Sequence, residues 1–433
     1  MSVKHGPYQK AIEFIFDREH FGIKLGIKNI GNFLTDVGDP HRTFKSVHIA
    51  GTNGKGSTAS YIDSIMRQAG YRVGIFTSPH LVDFRERICV DNKQISKKYI
   101  AGFIEKHRKV IEKNKITFFE VCTALAFCYF SYKRVDLAVV ETGLGGRLDA
   151  TNTLLPELSI ITDISFDHTN VLGNTLTKIA YEKAGIIKKD RPVLVGTMKP
   201  EPRKEIIRVS KQRNAKIVYQ KPGTISKTDN KFNFDYKSEN LDLSKLISSL
   251  PGRHQILNSA LAITAVDILN QDGYKVNKTQ IRRGLKSTKW PGRFEITKTR
   301  RGPTIILDVG HNPAGIKAMM ECFKKQFPGQ KADVIFGSVR NKNIEKTIKY
   351  IIQIAKTVEI AQLKTNRGVE PKDIVSIFKK NKFVATTSES VYSSARKIIG
   401  LAKSDDIIII CGSHFIVGEF LESQKEIYGK KRR

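Results

Sequence analysis

Residues 48–62 read HIAGTNGKGSTASYI. An apolar run ending at Ala50 passes into a loop with glycines at 51, 54 and 56 and a lysine at 55. Ser57 then opens a segment with Ile62, Ile65, Met66 and Ala69 on one helical face. A strand feeding a glycine-rich bend and then a helix brings backbone N–H groups and the positive helix end to one point, where an anion binds. The strict phosphate-loop pattern G-x-x-x-x-G-K-[ST] is not met, because Gly56 separates Lys55 from Ser57 and no glycine lies five residues before Gly54. Its physical ingredients survive. The stretch reads as a phosphate site, with an ordinary glycine turn as the alternative.

Outward from this loop, apolar runs bounded by turn residues alternate with helix-period segments. The runs are SVHIA, YRVGIF, VDLAVVE, ELSIITDI and RPVLVG, followed much later by TIILD, ADVIFG, VEIAQL and DDIIIICG. Unbroken apolar strands separated by helices imply parallel sheets covered on both faces, so the fold class is α/β. The spacing predicts helices over 117–134 and over 312–326, the second opening Asn-Pro. Residues 220–249 are polar with short β-like alternation and read as a peripheral hairpin. A strong helix in PGRHQILNSALAITAVDIL and the turn KWPGRFEI precede a fresh strand–helix series. The boundary is therefore expected near Arg293–Lys298. Two domains follow: a large P-loop-type nucleotide-binding unit over 1–295 and a smaller Rossmann-like α/β unit over 296–433.

The 433 residues are 40% hydrophobic and 9% aromatic, enough for packed cores, and no apolar run approaches the roughly 18–20 residues that a membrane span needs. The first twenty residues lack the apolar core and small-residue cleavage site of a secretion signal, so a cytoplasmic location and no membrane partner are expected. Five cysteines, odd in number and without C-x-x-C spacing, argue for reduced thiols. The formal charge of +32 favours polyanionic partners, but the lysines are spread along the chain and the only dense basic run is the terminal KKRR. A lysine-rich solvated surface accounts for that distribution.

Open α/β sheets bind ligands beyond the carboxyl ends of their strands. After YRVGIF comes Thr77-Ser78-Pro79-His80; VDLAVVE ends on Glu141 and runs into GLGGRLDATN; after ELSIITDI comes Ser165-Phe166-Asp167-His168. Hydroxyl, carboxylate and imidazole reach one sheet edge, a donor set suited to Mg²⁺ beside a nucleotide. Singly, Ser78 reads as a turn hydroxyl, Glu141 as a strand-end acid and His168 as a satisfied polar residue; their shared position favours the site. GLGGRLDATN is not G-x-G-x-x-G, which argues against NAD, and no G-x-S-x-G elbow or H-E-x-x-H pair is present.

HIAGTNGKGST, FTSPHL, ERI, TFFE, ETGLGGRLDATN, DHTNVLG, EKAGIIK, GRHQILNSALA, WPGRFE, LDVGHNP and SHFIVGEF, in that order and spacing, resemble the folylpolyglutamate synthase and dihydrofolate synthase family of ATP-dependent Mur-type ligases. The resemblance runs from about residue 20 to 420. It implies that ATP phosphorylates a substrate carboxylate and that the amino group of L-glutamate attacks the acyl phosphate, giving an amide, ADP and phosphate. Carried over by motif, Gly54, Lys55, Gly56, Ser57 and Thr58 would cradle phosphates. Ser78 and Glu141 would ligate one Mg²⁺ and His168 a second, with Lys183 matching a carbamylated lysine. Asn258, Arg293, Asp308 and His311 would meet ATP, with Lys55, Lys183, His168 and Asp308 in catalytic roles. For the folate or dihydropteroate end, the resemblance points to 22–30, to Phe119 and Glu120, and to Leu148, Asp149 and Ala150; Arg85 would face carboxylates or phosphate.

A basic surface could then steer polyglutamylated folates. A monomer is expected. The alternatives are a Mur-type ligase acting on another carboxylate and a nucleic-acid-binding P-loop ATPase. No basic helix with interleaved aromatics supports the second, so no nucleic-acid partner is expected. Relatives often carry a lysine–aspartate pair where this chain reads FGSVRNKN with Asn343, and no role is assigned there.

Overall fold

The computed structural model describes residues 6–22, 24–220, 225–228, 233–298 and 302–428; Ile23 and the terminal KKRR lie outside them. Two large sheets follow one another along the chain. The first has eight strands: β1 Ser46–Ala50, β2 Val73–Phe76, β3 Ile88–Val90, β4 Lys93–Gln94, β5 Leu137–Glu141, β6 Leu158–Ile161, β7 Val193–Val195 and β8 Ile217–Tyr219. Their order is β4-β3-β2-β5-β1-β6-β7-β8, and all pairs from β2 to β8 are parallel. Each apolar run read as a buried strand lies in one of the two sheets. The glycine loop leaves the centre of the first, because β1 sits between β5 and β6.

The pleat of β1 explains its sequence. Val47 and Ile49 enter one core with Tyr61, Ile62, Ile65 and Met66, while His48 faces the other side of the sheet. The helix that follows, Lys55–Gln68, is buried at every position from Gly56 to Met66, because helices Arg253–Gln271 and Lys278–Ser287 cover it. On the opposite face, helix Phe118–Lys133 starts at a capping box between Thr117 and Glu120 and buries Val121, Leu125 and Phe130.

A three-stranded antiparallel sheet follows, from β9 Ile225–Thr228, β10 Asn233–Lys237 and β11 Asp242–Ile247. It replaces the peripheral hairpin expected over 220–249, and it is not peripheral. Phe234, Tyr236, Leu243 and Leu246 belong to the same core as Ile62 and Ile65. The two-residue spacing of Phe234 and Tyr236 puts both rings on the covered face, where Tyr236 Oη lies 2.9 Å from Thr264 Oγ1.

The second sheet begins at Glu295, with β12 Glu295–Lys298, β13 Thr304–Asp308, β14 Ala332–Phe336, β15 Ala355–Ala361, β16 Thr386–Ser388 and β17 Ile407–Cys411 in the order β12-β13-β17-β14-β15-β16. Only β12 runs antiparallel. Separate cores cover its two faces, so this α/β unit is layered on its own. Among the described residues no helix is long and apolar enough to cross a membrane.

Helix Lys278–Ser287 holds the phosphate-loop helix by close backbone approach: a Cβ on Gly284 would sit 2.5 Å from Ile65 Cα, and Ser64 Oγ donates to Gly284 O at 2.8 Å. Gly284→Ala is expected to destabilise the chain by about 1–3 kcal/mol. Denaturant unfolding checks this, and an unchanged midpoint would contradict the packing described.

Candidate active site

The loop after β1 has its own backbone groups fastened from behind. Thr52 N–H donates to Asp163 O at 2.9 Å, Asn53 N–H to Asp163 Oδ1 at 2.5 Å, and Thr162 Oγ1 to Asn53 O at 2.6 Å. Thr52 Oγ1 and Ser165 exchange two further bonds at 3.0 Å. Glycine is required at two points. A Cβ on Gly51 would lie 1.8 Å from Thr162 Oγ1, and one on Gly54, which sits at φ 82°, would lie 2.5 Å from Asn258 Oδ1. Asn258 thus lies beside the loop. The first hydrogen bond of the helix runs from Thr58 N to Gly54 O at 2.9 Å. The N–H groups of Lys55, Gly56 and Ser57 therefore lie ahead of the helical ladder, at its positive end.

Charged groups converge on this point. Lys55 Nζ lies 3.5 Å from Glu141 Oε1, and Ser78 N–H donates to Glu141 Oε2 at 3.3 Å. Burial pushes the Glu141 carboxyl up against the pull of Lys55. Lys183 is buried and donates from Nζ to Gly51 O at 2.7 Å; burial first, and the Lys55 cation second, bring its amine down to about 7. Lys183 is thus not a surface lysine.

From the second sheet, Asp308 at the end of β13 accepts from Phe294 N at 2.9 Å and Gly310 N at 2.8 Å, and burial raises it to about 6. Arg293, whose Nε is buried without a partner among the described residues, lies in the field of Asp308 and Glu141.

Asp167 joins the two sheets. Its Oδ1 lies 2.6 Å from Lys342 Nζ, and its Oδ2 lies 3.3 Å from His311 Nε2 and 3.2 Å from Asn312 Nδ2. Asn312 Nδ2 also donates to Asn53 Oδ1 at 2.9 Å, which ties the phosphate loop to the second sheet's first long helix, Pro313–Gln326. Burial alone would raise the Asp167 carboxyl, but the His311 bond and the Lys342 ammonium outweigh it and hold the group well below its ordinary range. His168 opens the short helix Thr169–Leu172 from a left-handed backbone, φ 49°, and its Nε2 is 3.4 Å from Lys342 Nζ.

The comparisons agree on what this arrangement belongs to. The Mur ligase middle domain family matches residues 49–266, and the Mur ligase glutamate ligase domain family matches residues 292–414. The dihydrofolate synthase/folylpolyglutamate synthase of Bacillus subtilis (strain 168) is 33% identical over 96% of this chain and 99% of its own length. The chain belongs to the dihydrofolate synthase/folylpolyglutamate synthase family. Among solved structures, Escherichia coli FolC in complex with DHPP and ADP is similar at TM-score 0.85 and 28% identity, with 97% of this chain and 98% of that one covered. A bifunctional folylpolyglutamate synthase/dihydrofolate synthase with Mn, AMPPNP and L-glutamate bound reaches TM-score 0.84 at 26% identity, covering 96% and 98%.

Within this synthase fold, three expected substrate contacts are engaged elsewhere. Glu120 spends its carboxylate on Thr117 N and Thr117 Oγ1, both at 2.8 Å, and on Asn29 Nδ2 at 3.1 Å, so it is the cap of its own helix. Arg85 is forked onto Asp83, with Nε at 3.0 Å and Nη2 at 2.6 Å, two residues away. Asp149 accepts from Leu144 N at 2.7 Å and Thr151 N at 3.0 Å, inside its own loop. In each case the partner is a backbone N–H or side chain of the protein itself. The Phe119 ring lies over Gly143 so closely that a Cβ there would be 2.4 Å away. Leu148 O accepts from Gly26 N at 3.3 Å, which brings the 22–30 segment to the same loop, and Ala150 is buried beside it.

Lys342, Asp167, Asn312 and Asp163 are what sequence reading missed. Asn343 stands in place of the aspartate of the lysine–aspartate pair that relatives often carry, so no role was assigned to Lys342; Asn343 instead caps helix Ile344–Ile351 by accepting from Lys346 N at 3.0 Å. The side chains of Asp167 and Lys342 are each 7% exposed, so removing one charge strands the other. Lys342→Met is expected to cost about 3–5 kcal/mol of stability. In thermal unfolding the Asp167→Asn/Lys342→Met double variant should lose less than the sum of its singles; strict additivity would contradict the pairing.

Proposed function

We propose that this family member joins L-glutamate to a folate or dihydropteroate carboxylate at the expense of ATP, as a folylpolyglutamate synthase, a dihydrofolate synthase or both. The observation that carries the reading is the phosphate loop: N–H groups at the start of the Lys55–Gln68 helix, Lys55 beside them, and Glu141 at 3.5 Å from Lys55 Nζ. The names of the relatives, and the DHPP, ADP, AMPPNP and L-glutamate in the similar structures, support the same substrates.

A carboxylate is a poor acyl donor until one oxygen becomes a phosphate leaving group. Transfer of the terminal phosphoryl group of ATP to it depends mainly on positioning and charge neutralisation. Gly54 to Thr58 would hold the β- and γ-phosphates by backbone N–H groups and the Ser57 and Thr58 hydroxyls, and Lys55 would follow the charge as it shifts. Asn258, Arg293, Asp308 and His311 would enclose the nucleotide from the other side, with 1–295 and 296–433 acting as the two domains of the cleft. Phe119, Leu148 and Ala150 would line the pterin end. The glutamate amine then attacks the acyl phosphate and phosphate leaves.

Ser78 and Glu141 are the proposed holders of Mg²⁺, which neutralises phosphate charge when bound. The fit is that of an open site. Among the described residues no three His, Cys, Asp or Glu side chains converge as a cage, so phosphate oxygens and water must complete the shell, as Mg²⁺ tolerates. A second ion at His168 would require the Lys342 ammonium to withdraw from its place 3.4 Å from Nε2.

Lys183 suits carbamylation, because only a neutral amine adds CO₂, with loss of a proton, and its remaining N–H keeps Gly51 O as acceptor. A lysine brought down to about 7 exists mainly as ammonium below that pH and as amine above it. Carbamate labelling from ¹³C-bicarbonate, followed by NMR, should therefore be strong at pH 8, weak at pH 6 and absent in Lys183→Met. No signal at pH 8 would contradict the modification.

The direct functional test is ADP release with L-glutamate plus dihydropteroate or tetrahydrofolate, each offered alone. Turnover with at least one is expected. Lys55→Ala should lose about 10²-fold or more in kcat/KM while keeping the wild-type unfolding midpoint, and near-normal turnover would contradict the loop assignment.

A further inference from the structure

His48, in the middle of β1, is fully buried and belongs to none of the roles above. Its Nε2 lies 2.8 Å from Thr151 Oγ1, and its Nδ1 is buried without a partner among the described residues. Thr151 Oγ1 in turn lies 2.5 Å from Asp149 Oδ1. Asp149 also accepts from Thr151 N, from Leu144 N at 2.7 Å and from Gly143 N. The direction of the chain follows from donor counting. Asp149, with four N–H or O–H groups aimed at it, is an acceptor throughout, so the single Thr151 hydroxyl proton goes to it. Nε2–H of His48 must then donate to Thr151, which leaves Nδ1 as the bare lone pair. An orphan acceptor costs less than an orphan donor, in keeping with a neutral imidazole in this position. Burial holds the ring far below its ordinary range, at about 3, so it stays neutral.

The two ends of this chain matter. His48 lies three residues before Gly51, whose carbonyl holds Lys183, and five before Asn53, which is bonded to Asp163. Its neighbour across the sheet is Val140 of β5, one residue before Glu141. Asp149, at the other end, fixes the N–H groups of Gly143 and Leu144, the turn against which the Phe119 ring packs. We propose that His48 is a positioning residue that, through Thr151 and Asp149, sets the 143–150 loop against the phosphate loop and so aligns the acid substrate with the nucleotide. This rests on the reading of that loop as the pterin side of the cleft.

The test uses the full chain with L-glutamate, ATP and the folate or dihydropteroate acid that the wild type turns over. If neither acid is turned over by the wild type, the functional reading fails first, and this inference falls with it. If one is, His48→Leu and the near-isosteric Thr151→Val should each raise KM for that acid by roughly tenfold, as expected for one buried hydrogen bond, while KM for ATP moves less than about twofold. The double variant should be no worse than either single. His48→Gln, whose side-chain amide can present an N–H near the Nε2 position, should recover most of the loss. Thr151→Val keeps the test valid if His48→Leu fails to fold. An unchanged KM for the acid, equal rises for acid and ATP, or no recovery in His48→Gln would each overturn the proposal.

Discussion

A carbonyl and two N–H groups in the bend after β1 are already committed before any ligand arrives. Gly51 O is taken by Lys183, and Thr52 and Asn53 are held by Asp163 at the end of β6. Because these groups are satisfied from the protein side, the bend cannot relax toward them, and the next N–H groups, at the start of the Lys55–Gln68 helix, have only the cleft to face. The burial of that helix from Gly56 to Met66 between two others keeps its end in place. An anion site of this kind needs little reorganisation, which is where much of the catalytic benefit of fixed dipoles arises.

Around that bend the charges are buried in opposition. Lys55 stands against Glu141, Lys342 against Asp167, and Arg293 in the field of Asp308. Buried ion pairs add little net stability, since desolvation offsets much of their attraction. Their value here lies in place: each pair links a different strand end, and the Asp167 group draws Lys342, His311 and Asn312 of the second sheet onto the first.

Much of this was legible in the sequence. The unbroken apolar runs SVHIA, TIILD and DDIIIICG gave the parallel strands directly, since a strand buried on both faces has no polar register to hide in. The strand ends placed Ser78, Glu141 and His168 at one sheet edge with the glycine loop, and in the structure Glu141 lies 3.5 Å from Lys55 Nζ and accepts from Ser78 N at 3.3 Å, with Lys183 behind the bend. What escaped was set by partners far along the chain. Glu120, Arg85 and Asp149 looked like substrate contacts because their types suit that work, yet Arg85 and Asp149 are engaged by close neighbours in their own loops, and Glu120 by Thr117 and by Asn29, 91 residues away. Lys342 lacked the aspartate that often follows it in relatives, and nothing local reveals that its partner lies 175 residues away. The three-stranded sheet was read as peripheral because its polar alternation hides a covered face built from Phe234 and Tyr236.

The central claim is that the bend is formed in advance and receives the terminal phosphates without rebuilding. A crystal structure of the chain with a non-hydrolysable ATP analogue and Mg²⁺ measures this directly. The account predicts phosphate oxygens against the N–H groups of residues 54–57, with the backbone of 51–57 displaced by less than about 1 Å and the Asp163 and Lys183 bonds kept. A triphosphate bound elsewhere, or a bend that has let go of Asp163 to reach it, would contradict the account.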